Sequence, residues 1–180
     1  MGRDKALLPI GDKPLLVHLA EVLTSISSDF HVLAPYGRYE SFGFPVLADN
    51  RDNSGPLAGI EVALTHSAHD WNLILACDLA RVERDWLVRL CSAALEPNSF
   101  DCIASATAPN EANPLCAVWR KSALPAVQDA LNRGNFRVRS VLELLQTQIL
   151  IPPDPGILAN WNRPEDLPAH LGEGKANRGG

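Results

Sequence analysis

Trp71-Asn72-Leu73-Ile74-Leu75-Ala76-Cys77-Asp78 (WNLILACD) decides how the rest of the chain is read. Leu73 to Cys77 are apolar without alternation. A run of this kind suits a strand covered on both faces, as in a parallel sheet lying between helices. The run ends on a carboxylate. Ligands in open α/β sheets sit outside the carboxyl ends of the strands. Asp78 therefore stands where a hard cation and the phosphates it bridges are held. A turn aspartate or a helix cap fits the same position.

Working upstream, Asp49–Gly59 (DNRDNSGPLAG) is a polar loop that enters a helix, with Pro56 at its first position and Leu57, Ile60 and Leu64 at helical spacing. Before it, 44–48 (FPVLA) and 30–34 (FHVLA) read as short strands, the former at an edge because of Pro45. Leu15, Leu16, Leu19, Val22, Leu23 and Ile26 mark a helix, and 1–13 is a loop broken by Pro9 and Gly11. Downstream, 83–95 reads as a helix, 101–106 and 115–119 as strands, and 124–131 as a helix stopped by Gly134. A helix from Val138, a strand at 149–151 and a helical turn at 165–170 follow. Alternating strands and helices imply an α/β fold of three layers around a mostly parallel sheet. One domain over 1–171 is expected, with 172–180 a disordered tail.

Bulk properties narrow the function. The 180 residues carry 46% hydrophobic and 21% charged side chains, those of a globular protein, and a net charge of −5 argues against a nucleic-acid binder. No apolar run is long enough for a membrane helix, and Asp4, Asp12 and Lys13 break up any signal peptide. Cys77, Cys91, Cys102 and Cys116 form no CxxC pair and read as free, buried thiols of a cytoplasmic protein. The histidines make no HxxxH or HExxH pattern, and no GxSxG elbow occurs.

Several groups can carry chemistry, each beside a plainer reading. Lys5 can neutralise phosphate charge or be a solvated lysine. Asp49 can meet a ligand or sit in a turn. Gly55-Pro56-Leu57-Ala58-Gly59 brackets a helix N-terminus, where free N–H groups and small residues admit a ring or phosphate; a simple loop-to-helix junction fits too. Asn160 and Asn162 can bind a polar ligand, or Asn162 can cap a helix. Arg137 can meet an anion or a neighbouring carboxylate.

Together these stretches resemble the molybdenum cofactor guanylyltransferases. Met1-Gly2-Arg3-Asp4-Lys5 is similar to the end of the family's LAGGxSxRMGxDK motif. Gly11-Asp12-Lys13-Pro14-Leu15 resembles the GxPL that follows, Asp49 with Gly55–Gly59 its D…GPLAG, and Ala76-Cys77-Asp78 the strand ending in the metal aspartate. Asn113-Pro114-Leu115 resembles HPL with Asn for His, 134–138 resembles GxRRV, and 160–167 resembles NxNTPEDL. Ala80 stands where the family has a proline.

The resemblance implies a Rossmann-like nucleotidyltransferase fold that moves GMP from GTP to molybdopterin and releases pyrophosphate. It implies Mg²⁺ on Asp78, phosphate charge met by Lys5, guanosine met by Asp49 and the backbone of Gly55, Pro56, Leu57 and Gly59, and molybdopterin met by Arg137, Asn160 and Asn162. It also implies transient contact with molybdoenzyme maturation proteins. The family's first strand and glycine-rich phosphate loop have no counterpart here, so an N-terminally truncated version of the fold is expected. The rival readings are a cytidylyl- or sugar-nucleotide transferase of the same fold, and a binding module without the phosphate loop.

Overall fold

The structure is a computed structural model and describes residues 4–48, 51 and 54–161. Asp49, Asn162, the expected helical turn at 165–170 and the expected tail lie outside the described residues.

A 3-10 turn at Lys5–Leu7 leads into a two-residue hairpin, β1 (Pro9–Ile10) and β2 (Lys13–Pro14), where the sequence suggested only a loop. Helix α1 (Leu15–Thr24) follows at once and buries Leu15, Leu16, Leu19 and Ala20, the spacing of one helical face. Strands β3 (Val32–Leu33) and β4 (Val46–Leu47) form a separate parallel pair, each far shorter than its apolar run. Pro45 has no N–H, but its carbonyl accepts from Val32 N–H at 2.8 Å, so the proline sits at the ladder's start.

Helix α2 (Gly55–His66) opens on Gly55 at φ +62°, a conformation that favours glycine. Strand β5 (Trp71–Leu75), helix α3 (Arg84–Leu95), strands β6 (Cys102–Ala106) and β7 (Ala112–Arg120), helices α4 (Leu124–Asn132) and α5 (Val138–Leu142) and strand β8 (Thr147–Leu150) complete the order. Gly134, at φ +72°, ends α4, with Asn135 N–H reaching back to Ala130 O at 2.9 Å and closing a Schellman motif.

The four-stranded sheet runs β5-β7-β6-β8. β5, β6 and β8 point one way. β7 runs against its two neighbours, so the sheet is mixed where a mostly parallel one was expected. The reason is local: β6 and β7 are joined through only 107–111, and a connection that short makes an antiparallel hairpin. β7 then lies between β5 and β6. β5, the strand that leads to Asp78, is at one end of this sheet among the described residues, and α2 packs on both β5 and β3.

Alternation along the strands builds two cores. Ile103, Cys116 and Val118 face α1 and α3, with Leu15, Leu19, Trp86, Leu87 and Leu90. Cys102, Ala104, Ala117 and Trp119 face α2, α4 and α5, with Leu57, Ile60, Leu64, Val127 and Val141. β5 divides likewise, Ile74 to the second core and Leu73 and Leu75 to the first, so its apolar run does cover both faces. Of the four free cysteines only Cys102 and Cys116 are buried; Cys77 is exposed.

Candidate active site

The site lies where β5 stops. Ala76 N–H donates to Leu115 O at 2.7 Å, the last bond of the β5–β7 side, and the chain then leaves the sheet. Leu79 and Ala80, both buried, hold the exit loop in the first core. Asp78, between these anchors, turns its carboxylate to a cavity of about 270 Å³. Its own carbonyl accepts the Trp161 N–H at 2.6 Å. The buried Trp161 ring belongs to the first core, so this bond fixes the segment that carries Asn160 beside Asp78. The anchor between the two amides, Trp161, is a functional residue beyond the sequence expectations, and its signal is a lone tryptophan in a polar segment.

Lys5 reaches Asp78 from the other side. Its Nζ donates to Asp78 Oδ2 at 3.3 Å, with the lysine side chain 45% exposed and the aspartate 16%. The 3-10 turn that carries Lys5 is capped by Asp4, which accepts from Ala6 N–H at 3.1 Å. The same carboxylate accepts from the Tyr39 hydroxyl at 2.9 Å and pairs with Arg38 at 3.1 Å. Burial first, and then the Asp4 carboxylate it donates to, push the Tyr39 hydroxyl up to about 12.

Asp78, Thr107, Glu111, Asn113, Arg139 and Asn160 line the cavity. Thr107 donates to Glu111 at 2.6 Å, and Asn113 Oδ1 accepts from Leu115 N–H at 3.1 Å across Pro114. This corner is a bulge: pairing of β6 with β7 jumps from Ala104–Ala117 to Ser105–Asn113. Pro114, which has no N–H for a ladder, sits inside the jump. The bulge turns Asn113 and Leu115 toward the cavity, a common device beside active sites.

The arginine in the cavity is Arg139, not Arg137. Arg137 is the exposed residue before α5, with its backbone N–H on Asn135 Oδ1 at 3.2 Å. Arg139 has no side-chain hydrogen bond or ion pair among the described residues. Arg137 is the extended residue that caps α5, whereas Arg139 lies within the helix.

The Gly55–Gly59 stretch is placed apart from these residues, and none of it lines the cavity. Leu57 and Ala58 are wholly buried in backbone as well as side chain, so the exposed part of this stretch is Gly55 and Pro56, with Gly59 half-buried. A Cβ on Gly59 would stand 3.6 Å from Leu33 Cδ1, an ordinary contact, so packing on β3 does not require glycine there.

Among the described residues no three His, Cys, Asp or Glu side chains gather as a metal cage. What the cavity offers is hard oxygen: the Asp78 and Glu111 carboxylates and the Asn160 amide, with Asn113 Oδ1 already accepting from Leu115 N–H. That donor set fits a divalent cation held by one or two carboxylates together with substrate phosphates and water. No described helix is long and apolar enough to cross a membrane.

Residues 1–149 match the family model described as a MobA-like NTP transferase domain. A Nostoc protein named as a probable molybdenum cofactor guanylyltransferase is 33% identical, the alignment covering 96% of this chain and 85% of that one. The molybdenum cofactor guanylyltransferase of Vibrio vulnificus is 29% identical over 92% of this chain and 85% of its own. Among solved structures, molybdopterin-guanine dinucleotide biosynthesis protein A from Archaeoglobus fulgidus superposes with a TM-score of 0.71 at 21% identity, covering 92% of this chain and 87% of that one. The 2-C-methyl-D-erythritol 4-phosphate cytidylyltransferase of Thermus thermophilus superposes at 0.69 and 15% identity, covering 90% and 89%. These likenesses place the chain in the nucleotidyltransferase fold.

Proposed function

The chain belongs to the MobA-like NTP transferase family, and on that premise we propose that it transfers GMP from GTP to molybdopterin. A terminal phosphate oxygen of the acceptor forms a bond to the α-phosphorus of GTP; the bond to the β-phosphate oxygen breaks, and pyrophosphate leaves. Nothing in this displacement needs a covalent enzyme intermediate. It needs alignment and neutralised charge.

The observation that carries the reading is the contact of Lys5 with Asp78, the carboxylate that lines the cavity. A carboxylate and an ammonium 3.3 Å apart are the two groups needed to hold a cation and to answer developing phosphate charge. Asp78 would hold Mg²⁺, which when bound neutralises the triphosphate. Lys5 donates to a non-bridging phosphate oxygen. The Gly55–Gly59 backbone and Asp49 take the guanosine. Asn160, Asn162 and an arginine at the start of α5 take molybdopterin; the cavity geometry favours Arg139 over Arg137 for that arginine. Free cysteines suit work in the reducing cytoplasm.

The test is Asp78→Asn, assayed by GMP transfer from labelled GTP with Mg²⁺ or Mn²⁺. Transfer should fall at least about 100-fold with the melting midpoint unchanged. Transfer at a near-normal rate would sink the assignment. Competition among GTP, CTP and ATP should favour GTP, and a preference for CTP would move the chain to the cytidylyl branch.

A further inference from the structure

We propose that Asp4, Tyr39 and Arg38 form a clamp that positions Lys5, and that Tyr39 and Arg38 are positioning residues for the transfer. The inference rests on the role given to Lys5 above. Lys5 is largely exposed and hangs on a three-residue 3-10 turn, a piece too short to hold a long side chain unaided. Its neighbours on both sides are tied down. Ala6 is buried with Leu16, Val32, Ala34 and the Tyr39 ring. Asp4 accepts from Ala6 N–H, from the Tyr39 hydroxyl and from Arg38 Nε at 3.2 Å, the last two from a segment more than thirty residues away in sequence.

That segment is itself fastened. The Glu40 carboxylate accepts from Gly37 N–H at 2.7 Å and Tyr39 N–H at 3.0 Å, while Gly37 and Gly43 adopt left-handed φ of +81° and +77°. Arg38 lies over the Tyr39 ring at 5.6 Å, so its guanidinium is oriented by the ring as well as by Asp4. A fixed turn thus grips Asp4, Asp4 caps the 3-10 turn, and the turn aims Nζ at Asp78. A tyrosine and an arginine in one grip hold a carboxylate through both charge and direction, which a surface ion pair alone does not do.

The test combines Tyr39→Phe, Arg38→Gln and, as a control, Tyr36→Phe, whose side chain is exposed. Lysines are reductively methylated with ¹³C-formaldehyde, and the Lys5 signal is assigned by its loss in Lys5→Arg. The expected result is that Asp78→Asn and Tyr39→Phe both move the Lys5 signal, Arg38→Gln moves it in the same sense, and Tyr36→Phe leaves it. In transfer kinetics Tyr39→Phe should lower kcat about tenfold, the worth of one ordinary hydrogen bond, and should lower it no further in a Lys5→Ala background. An unmoved Lys5 signal in Tyr39→Phe, or full additivity with Lys5→Ala, overturns the clamp. Should Asp78→Asn itself leave the Lys5 signal in place, the pairing of Lys5 with Asp78 fails, and the reading of the site fails with it.

Discussion

Trp161→Ala is the sharpest single perturbation of this molecule. The ring is 3% exposed and shares a core with Leu8, Ile10, Leu79, Ile157 and Leu158. Burying a tryptophan removes on the order of 150–250 Å² from water. At about 25 cal/mol per Å² that is roughly 4–6 kcal/mol, and measured Trp→Ala changes run to about 3–5 kcal/mol. The whole net stability of a domain is about 5–15 kcal/mol, so the variant loses between roughly a fifth and all of it. With a urea slope of about 2 kcal/mol per molar, the midpoint should fall by about 2 M. Far-UV circular dichroism in urea reads this directly, with Trp161→Phe expected to fall between. The backbone N–H of residue 161 that donates to the Asp78 carbonyl remains in the variant but loses the ring that seats it, so transfer should fall with stability. A midpoint shift under about 0.3 M would refute the reasoning, whether transfer survived or not, because Trp161 would then not belong to the main core.

Other expectations follow from the same geometry. Arg139→Ala should raise KM for the acceptor about tenfold, and Arg137→Ala should change it less; the reverse order in steady-state kinetics would return the anion contact to Arg137. His18, half-buried on α1, is held below its ordinary value, first by burial and then by the Lys13 charge, with Glu21 and the Ala80 carbonyl opposing. The folded chain therefore binds this proton less readily than the unfolded one, and the stability that comes from a neutral His18 is lost as pH falls below about 6.5. Urea midpoints between pH 7.5 and 5.5 should fall more steeply in the wild type than in His18→Gln, and equal slopes would remove the claim.

The sequence made the layers legible because burial leaves a periodic trace. The α1 face, the α3 face and the doubly covered run ending at Asp78 were all readable in this way, and the structure keeps them. Strand direction leaves no such trace. β7 reads the same parallel or antiparallel, and the five-residue connection 107–111 that makes the hairpin emerges only in the structure, where β7 begins at Ala112 rather than Leu115. Strand length was overread at β3 and β4, where Phe30 and Phe44 pack in a third small core beyond the two paired residues of each strand. The Lys5–Asp78 contact was readable only through the family motif. The Asp4–Tyr39 grip was not readable at all, since neither residue stands out by type or spacing. Arg137 and Arg139 were separable only once the helix start was fixed at Val138.

The bond from Trp161 to the Asp78 carbonyl also sets an order of events during synthesis. By the time Leu150 has left the ribosome, every strand of the four-stranded sheet exists, and so does Asp78 at its rim. The rim is not yet closed. Contacts that join distant parts of a chain form late, because the loop between them must first be ordered. Asp78 thus waits for residue 161, and until then its loop and the first core lie open along one side. A nascent chain at that stage has a sheet and two helical layers but no finished site. Among the described residues, the seating of one indole ring closes the rim at Asp78.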